Sequence, residues 1–165
     1  MAAVKRRTPA AKRPASAAAS TLRRYTIDAS VFVNAFNPPE RGHRASLALL
    51  TAIHAAADPV ILPSLALVEI ASAMARASDD APGGVAFAAA VASLPHVTVV
   101  PLTVAGGQQA GELAASHRLR GADAVYASIA RRYGTILVTR DERQRARATS
   151  VIPCVTPEEA LSGRS

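Results

Sequence analysis

Short, mainly apolar runs recur along the chain from Tyr25 onward, and alanine-rich helical segments separate them. The runs lie at residues 25–28, 59–62, 97–102 and 135–139, and residues 151–155 form a candidate fifth run. Strands that are apolar on both faces are buried on both faces, which is typical of parallel βα units. The pattern therefore predicts an α/β fold in which a central parallel sheet of four to five strands is flanked by helices.

Seven helical segments are expected between these runs, and two of them carry recognisable start signals. Ser64 is a candidate N-cap for the helix that follows the second apolar run. Thr139 and Glu142 form a T-x-x-E capping box at the start of the last helix. The segments are 30–36, 40–57, 65–77, 84–94, Thr103 to about Arg120, 122–133 and 141–148. In open parallel sheets the ligand site lies beyond the carboxyl ends of the strands, where the strand order reverses. The residues that follow each strand are therefore the candidates for function.

The net charge of +7 belongs to the N-terminal segment. Of the 19 lysine and arginine residues, seven lie in residues 1–24, which contain no acid, so 12 basic and 12 acidic residues remain in 25–165. Such an Ala/Pro/Lys/Arg-rich segment cannot bury enough apolar surface to fold alone, so residues 1–24 are expected to be a disordered basic tail before a domain at 25–161. The tail fits either a non-specific electrostatic hold on RNA or a solubilising extension. With a single cysteine, Cys154, the chain is expected to be cytoplasmic and free of disulfides, and no run reads as a membrane span.

Four carboxylates come from four separate segments, each near the same predicted end of the sheet. Asp28 ends the first run, Glu69 lies in an otherwise apolar helix after the second, Asp123 follows Gly121, and Asp141 comes two residues after the fourth run. Clustered carboxylates raise each other's pKa unless a cation neutralises them, and an all-oxygen ligand set suits Mg²⁺ or Mn²⁺. Taken singly the acids have simpler explanations, since Asp28, Asp123 and Asp141 all fit helix starts. Glu69 is the hardest to explain in this way, because a lone carboxylate on an apolar helix seldom turns inward without a partner. Their joint arrangement favours a metal site.

Other α/β chemistries lack the residues that they need. No G-x-G-x-x-G follows the first strand, which disfavours a dinucleotide fold. Both lysines, Lys5 and Lys12, lie in the tail, which excludes a P-loop in the domain and counts against phosphoaspartate enzymes and receiver domains. Position 30 is serine, where haloacid-dehalogenase-like phosphatases carry a second aspartate.

Four stretches in order resemble the PIN domain, and most closely the VapC-type ribonuclease toxins of bacterial toxin–antitoxin pairs. They are IDASVFV (27–33), LPSLALVEIASAMARA (62–77), LRGADAVYASIA (119–130) and ILVTRDERQRARA (136–148), and the resemblance spans essentially all of 25–156. It implies a three-layer PIN-like fold and metal-dependent cleavage of RNA phosphodiesters by activated water, which leaves 3′-hydroxyl and 5′-phosphate ends.

Carried over by position, the resemblance implies that Asp28, Glu69, Asp123 and Asp141 form the catalytic metal site for Mg²⁺ or Mn²⁺. Ser30, Thr139 and Asn34 would lie next to these carboxylates and help to orient them, without binding the metal themselves. Arg140, Arg143 and Arg147 are placed on one helical stripe beside Asp141, where they either grip substrate phosphates or form an ordinary solvated face.

The resemblance also implies partners: an RNA substrate, a cognate antitoxin protein that inserts a helix into a groove, and a second copy of the chain as homodimer. Two other interpretations stay open. One is a housekeeping RNA-processing PIN nuclease without an antitoxin. The other is a non-catalytic RNA-binding module that draws affinity from the basic tail.

Overall fold

Five parallel strands form a single sheet in the order β3-β2-β1-β4-β5. The structure is a computed structural model, and it describes residues 23–164. The strands are β1 (Tyr25–Ile27), β2 (Val60–Pro63), β3 (Val97–Val100), β4 (Ile136–Val138) and β5 (Cys154–Val155). The expected parallel sheet is thus confirmed, and the candidate fifth strand is present as a two-residue edge.

Helices cover both faces of the sheet, which gives the expected three-layer architecture. They are α1 (Ala29–Ala35), α2 (His43–Ala56), α3 (Ser64–Ser78), α4 (Ala81–Ala92), α5 (Val104–His117), α6 (Gly121–Tyr133), α7 (Glu142–Ala148) and α8 (Pro157–Ser162). The first seven correspond to the seven predicted segments, and α8 is an addition. Its start is fixed by a capping box in which the Thr156 side chain and Glu159 satisfy each other's backbone amides.

The strand order reverses between β1 and β4. From β1 the sheet grows through β2 and β3 on one side, and through β4 and β5 on the other. β1 and β4 are in register, with Ile27 opposite Val138, and the amide of Asp28 donates to the carbonyl of Val138 at 2.9 Å. The chain segments that leave β1 and β4 therefore emerge side by side at the switch point, where a ligand site is expected.

Small side chains allow the helices to approach closely. In α6 every residue from Ala124 to Ala130 is buried, since this helix packs against β1, β2 and β4. Gly84 of α4 lies against the backbone of α3, where an added Cβ would meet the Ala71 carbonyl oxygen at 2.5 Å. These contacts fix α3 and α6, the two helices that carry Glu69 and Asp123.

The predicted start of α3 is wrong in detail. Ser64 is the first helical residue and Pro63 is the N-cap, without a side-chain hydrogen bond. The hydroxyl of Ser64 instead accepts a 3.1 Å hydrogen bond from the amide of Leu102. Ser64 therefore ties the start of α3 to the segment that follows β3.

The predicted disordered tail lies almost wholly outside the described residues, since residues 1–22 and 165 are not described. Arg23 and Arg24 are exposed, and the carbonyl of Arg24 accepts a hydrogen bond from the amide of Ile136. Within residues 23–164 no helix has the length and apolarity needed to cross a bilayer.

Candidate active site

The four predicted carboxylates line one open cleft of about 600 Å³ at the carboxyl edge of the sheet. Asp28 follows β1, Glu69 lies in the second turn of α3, Asp123 in the first turn of α6, and Asp141 at the start of α7. Four separate segments therefore bring their acids to the switch point between β1 and β4.

Asp28 is held at both carboxylate oxygens. It is the N-cap of α1, where Oδ1 accepts a 2.9 Å hydrogen bond from the amide of Ser30. Oδ2 accepts a longer bond of 3.4 Å from the side-chain amide of Gln144. Burial raises the pKa of Asp28 in spite of these bonds, and the charge of Asp141 adds to the rise. Asp28 is therefore a pre-oriented carboxylate whose ionisation is opposed by its surroundings.

Glu69 receives a hydrogen bond from a buried tyrosine. The hydroxyl of Tyr126 donates to Glu69 Oε2 at 2.7 Å, which links α6 to α3. Burial raises the pKa of the Tyr126 phenol well above its usual range, with the charges of Asp28 and Glu69 adding to the rise, so the phenol remains a donor. Burial also raises the pKa of Glu69, and the charges of Asp28 and Asp123 raise it further.

Asp123 and Asp141 face each other across the cleft. Burial raises the pKa of Asp123, the charges of Asp141 and Asp28 add to this, and the nearby Arg120 opposes it. Asp141 is the N-cap of α7, where its Oδ1 accepts from the amides of Arg143 at 2.8 Å and Gln144 at 3.0 Å. Its Oδ2 lies 3.7 Å from Nη1 of Arg120. One oxygen of Asp141 is thus used by the helix, and the other points to the cleft.

The predicted Thr139–Glu142 capping box is wrong. Asp141 is the residue that caps α7, and Glu142 is the first helical residue and is exposed. Thr139 is buried, and its hydroxyl accepts a 3.0 Å hydrogen bond from the amide of Asp141. Thr139 therefore shapes the turn that presents Asp141, which is a supporting contact of the kind proposed for it.

Ser30 and Asn34 occupy different positions relative to the cleft. Ser30 lines it, and its hydroxyl accepts from the amide of Arg140 at 3.1 Å, which joins the segments that leave β1 and β4. Asn34 is buried behind it and bonds to Glu40, the Arg41 carbonyl and Ser46. Asn34 does not line the cleft, although Glu40, which it holds at 3.0 Å, does.

The structure does not bring the three predicted arginines to the cleft. Arg140 precedes α7, and its guanidinium pairs with Glu158 at 3.0 Å. Arg147 donates to the carbonyl of Arg118, and Arg143 is exposed. None of the three is among the residues that line the cleft. Arg140 lies before α7, whose first residue is Glu142, so only Arg143 and Arg147, four residues apart, share a face of this helix.

The lining or supporting residues that were missed from the sequence include Glu40, Arg76, Arg120, Tyr126 and Gln144. Arg76 had a readable signal, because it lies seven residues after Glu69 in the same helix, a spacing that places both on one helical face. Gln144 is fully buried, and its Oε1 has no hydrogen-bond partner among residues 23–164.

The donor set fits a hard divalent cation. Carboxylate oxygens from four segments line one cleft, and the pKa of Asp28, Glu69 and Asp123 is raised by burial first and by the neighbouring carboxylate charges second, so a bound cation would favour their ionised forms. Within the described chain no three Asp, Glu, His or Cys side chains stand close enough to form a ready-made metal cage.

The sheet order and the acidic cleft at its switch point define an α/β protein with a candidate metal centre. Comparison with known proteins narrows this class, because the sequence model of the PIN domain matches residues 25–149. The chain belongs to the PIN domain family. A search of curated protein sequences finds no match.

Solved structures with the same fold include toxins of toxin–antitoxin pairs. One is VapC20 from Mycobacterium tuberculosis, which is described as a sarcin-ricin loop cleaving toxin. It is 21% identical in sequence with a TM-score of 0.61, and the match covers 74% of this chain and 93% of the VapC20 chain. VapBC2 from Rickettsia felis, bound to a promoter DNA fragment, is 14% identical with a TM-score of 0.60, covering 81% and 98%. DNA-bound VapBC from Salmonella typhimurium is 17% identical with a TM-score of 0.59, covering 82% and 98%. At these identities the likeness shows the fold.

Proposed function

We propose that this protein is an endoribonuclease that depends on Mg²⁺ or Mn²⁺ and acts as the toxin of a VapBC-like toxin–antitoxin pair. The observation that carries the proposal is the convergence of Asp28, Glu69, Asp123 and Asp141 on one cleft of a PIN-domain chain. A protein that only bound RNA would have no need for four acids at the point where a polyanion must approach.

In this proposal, Asp28, Glu69, Asp123 and Asp141 would hold the metal. A bound Mg²⁺ or Mn²⁺ would supply Lewis-acid stabilisation of the phosphodiester and lower the pKa of a water molecule. The chain contributes orientation: the Ser30 amide fixes Asp28, Tyr126 fixes Glu69, and the α7 amides fix Asp141. Such fixed ligands reduce the reorganisation needed as charge develops on the phosphate oxygens.

The toxin assignment is supported by the solved structures that share the fold. Several of these are complexes of a PIN-fold toxin with its antitoxin. The proposed partners are accordingly an antitoxin, a second copy of the chain and an RNA substrate in the cytoplasm. A short reading frame immediately upstream, encoding a DNA-binding domain and a C-terminal helix, would favour the toxin over a housekeeping nuclease.

Cleavage of single-stranded RNA by the wild-type protein and by Asp28→Asn, each with Mg²⁺ and with EDTA, tests the proposal. Asparagine keeps the size of the side chain and its ability to cap α1. The wild type should cleave only with Mg²⁺, and the variant should be inactive in both conditions. Equal cleavage by the two proteins would overturn the metal-nuclease assignment, and RNA binding without cleavage by either would favour the non-catalytic module.

A further inference from the structure

We propose that Arg120 and Arg76 form a phosphate-binding subsite on the rim of the acidic cleft, with Arg120 exchanging between Asp141 and a backbone phosphate of the nucleic acid. This subsite deepens the proposed nuclease function and rests on it. It replaces Arg140, Arg143 and Arg147 as the basic contacts of the substrate.

Arg120 lies at the entrance to the site. It is the residue before α6, directly after the buried Leu119 and three residues before Asp123. Its guanidinium is 3.7 Å from Asp141 Oδ2, and the two side chains are 59% and 34% exposed. An ion pair this long and this exposed contributes little stability, so Arg120 can leave Asp141 at small cost.

Arg76 reaches the same cleft from α3. It lies two helical turns after Glu69, and Ser72 and Ala73 on the same face also line the cleft. No carboxylate pairs with Arg76 among residues 23–164. Arg76 is exposed, so its guanidinium is available to a ligand that enters the cleft.

The charge of the cleft explains why these arginines are needed. A site lined by five carboxylates, the four predicted acids and Glu40, repels a phosphodiester backbone, so cations at the rim are required to bring the polyanion to the acids. The planar guanidinium fork matches two phosphate oxygens, and two arginines from two helices can hold neighbouring phosphates. Such contacts position a strand without reading its sequence.

The exchange of Arg120 follows from competition for Asp141. Without a metal ion, Arg120 is the cation nearest to Asp141 Oδ2 among the ion pairs of the described chain. A divalent ion that binds Asp141 would neutralise the carboxylate and release the guanidinium for phosphate. Removing Arg120 should therefore weaken nucleic-acid binding and strengthen metal binding, two changes of opposite direction that a merely structural role would not produce.

Arg120→Gln and Arg76→Gln are compared with Arg131→Gln as the matched control. Arg131 is exposed in the last turn of α6, about 16 Å along the helix from Arg120, and its substitution changes the net charge equally. Binding of a fluorescently labelled single-stranded RNA is measured by anisotropy in Ca²⁺ at several salt concentrations, and Mn²⁺ binding by calorimetry.

The expected result is that each cleft variant binds RNA about fivefold more weakly at 0.1 M salt, with a salt slope smaller by about 0.7. Arg120→Gln should also bind Mn²⁺ more tightly than the wild type, and Arg131→Gln should match the wild type in both assays. If Arg120→Gln and Arg76→Gln matched Arg131→Gln in RNA affinity and salt slope, the proposed phosphate-binding subsite would be contradicted. The proposed nuclease function would not be affected by that result. If the wild type instead bound no Mn²⁺ and cleaved no RNA, the proposed nuclease function would be wrong. The comparison of RNA binding between the variants does not depend on that outcome.

Discussion

The hydroxyl of Tyr126 donates a 2.7 Å hydrogen bond to Glu69 Oε2 and thereby joins α6 to α3 beside the acidic cleft. Both partners are held by the core: Tyr126 is fully buried, and Ile70, next to Glu69, is fully buried as well. The position of one candidate metal ligand is therefore set by the packing of two helices rather than by a loop.

Tyr126→Phe should remove this orientation and little else. The expected loss of stability is about 1 kcal/mol, because water can replace the donor at the partly exposed Glu69. The affinity for Mn²⁺ should fall by about tenfold, as for other residues that orient a metal ligand. Calorimetric Mn²⁺ titration and urea unfolding measure the two effects. Tyr133→Phe, at the end of the same helix, is the control and should leave Mn²⁺ affinity unchanged.

Ionisation of Asp28 should destabilise the metal-free protein. Burial, with the charge of Asp141, raises the pKa of Asp28 above 3.8, so the folded chain holds this proton more tightly than the unfolded chain does. The penalty is absent well below pH 3.8, grows as the pH rises through the folded-state pKa, and is fully present above it.

Asp28→Asn should therefore be more stable than the wild type in EDTA at pH 7, and the two should converge as the pH falls below about 4. The unpartnered Oε1 of Gln144 can accept a hydrogen bond from the new amide after the glutamine side chain turns over. Thermal unfolding between pH 3 and pH 8 tests this, and a variant less stable than the wild type at pH 7 without metal would contradict it.

Gly84→Ala should destabilise the protein although alanine is the better helix former. The new Cβ would lie 2.5 Å from the carbonyl oxygen of Ala71 and 2.8 Å from the amide of Ala75, so α4 would have to move away from α3. We expect a loss of roughly 1–3 kcal/mol by urea unfolding. At Gly111 in α5 an added Cβ would meet no atom within 4 Å among residues 23–164 beyond its own helix backbone and chain neighbours, so Gly111→Ala should instead gain up to about 1 kcal/mol. Equal effects of the two changes would show that α3 and α4 are not in close contact.

Arg164 anchors the end of the chain through a buried ion pair with Asp58. It also donates to the hydroxyl of Tyr25 at 3.0 Å and to the carbonyl of Ala52 at 3.2 Å. Arg164→Met leaves the 5% exposed Asp58 without its counterion and should cost about 3 kcal/mol. Adding Asp58→Asn should restore part of this loss, which a double-mutant cycle by urea unfolding measures. A single variant as stable as the wild type would show that the pair contributes nothing.

The parallel sheet was predictable because its strands are short, mainly apolar runs between helical segments, and β1, β2 and β4 are largely buried, as is typical of a parallel sheet covered on both faces. The proximity of Asp28 and Asp141 was also suggested by their positions in the chain. Asp28 follows β1 and Asp141 follows β4, so the two acids lie at the same edge of the sheet if these strands pair. The final helix was missed because Pro157–Ser162 has only six residues, too few to show a period.

The hydrogen-bond partners of the side chains around the cleft could not be predicted from the sequence. Thr139 and Glu142 have capping-box spacing, but Asp141 between them offers a carboxylate two residues closer to the helix than the Thr139 hydroxyl, and Asp141 caps the helix instead. Arg140 was placed on the same helical stripe as Arg143 and Arg147, but it lies before α7. Its ion-pair partner, Glu158, lies in α8, the helix that was not predicted. Gln144 carries no sequence signal, because its role depends on contact with Asp28, 116 residues away.

The central claim is that the four carboxylates form a catalytic metal site, and the cleavage rate of Asp123→Asn in Mg²⁺ tests it most directly. The matched control is Asp80→Asn, which changes an aspartate that caps α4 outside the cleft. With one single-stranded RNA under single-turnover conditions, Asp123→Asn should cleave at least about a hundredfold more slowly than the wild type, and Asp80→Asn at the wild-type rate. Wild-type cleavage by Asp123→Asn would contradict the account.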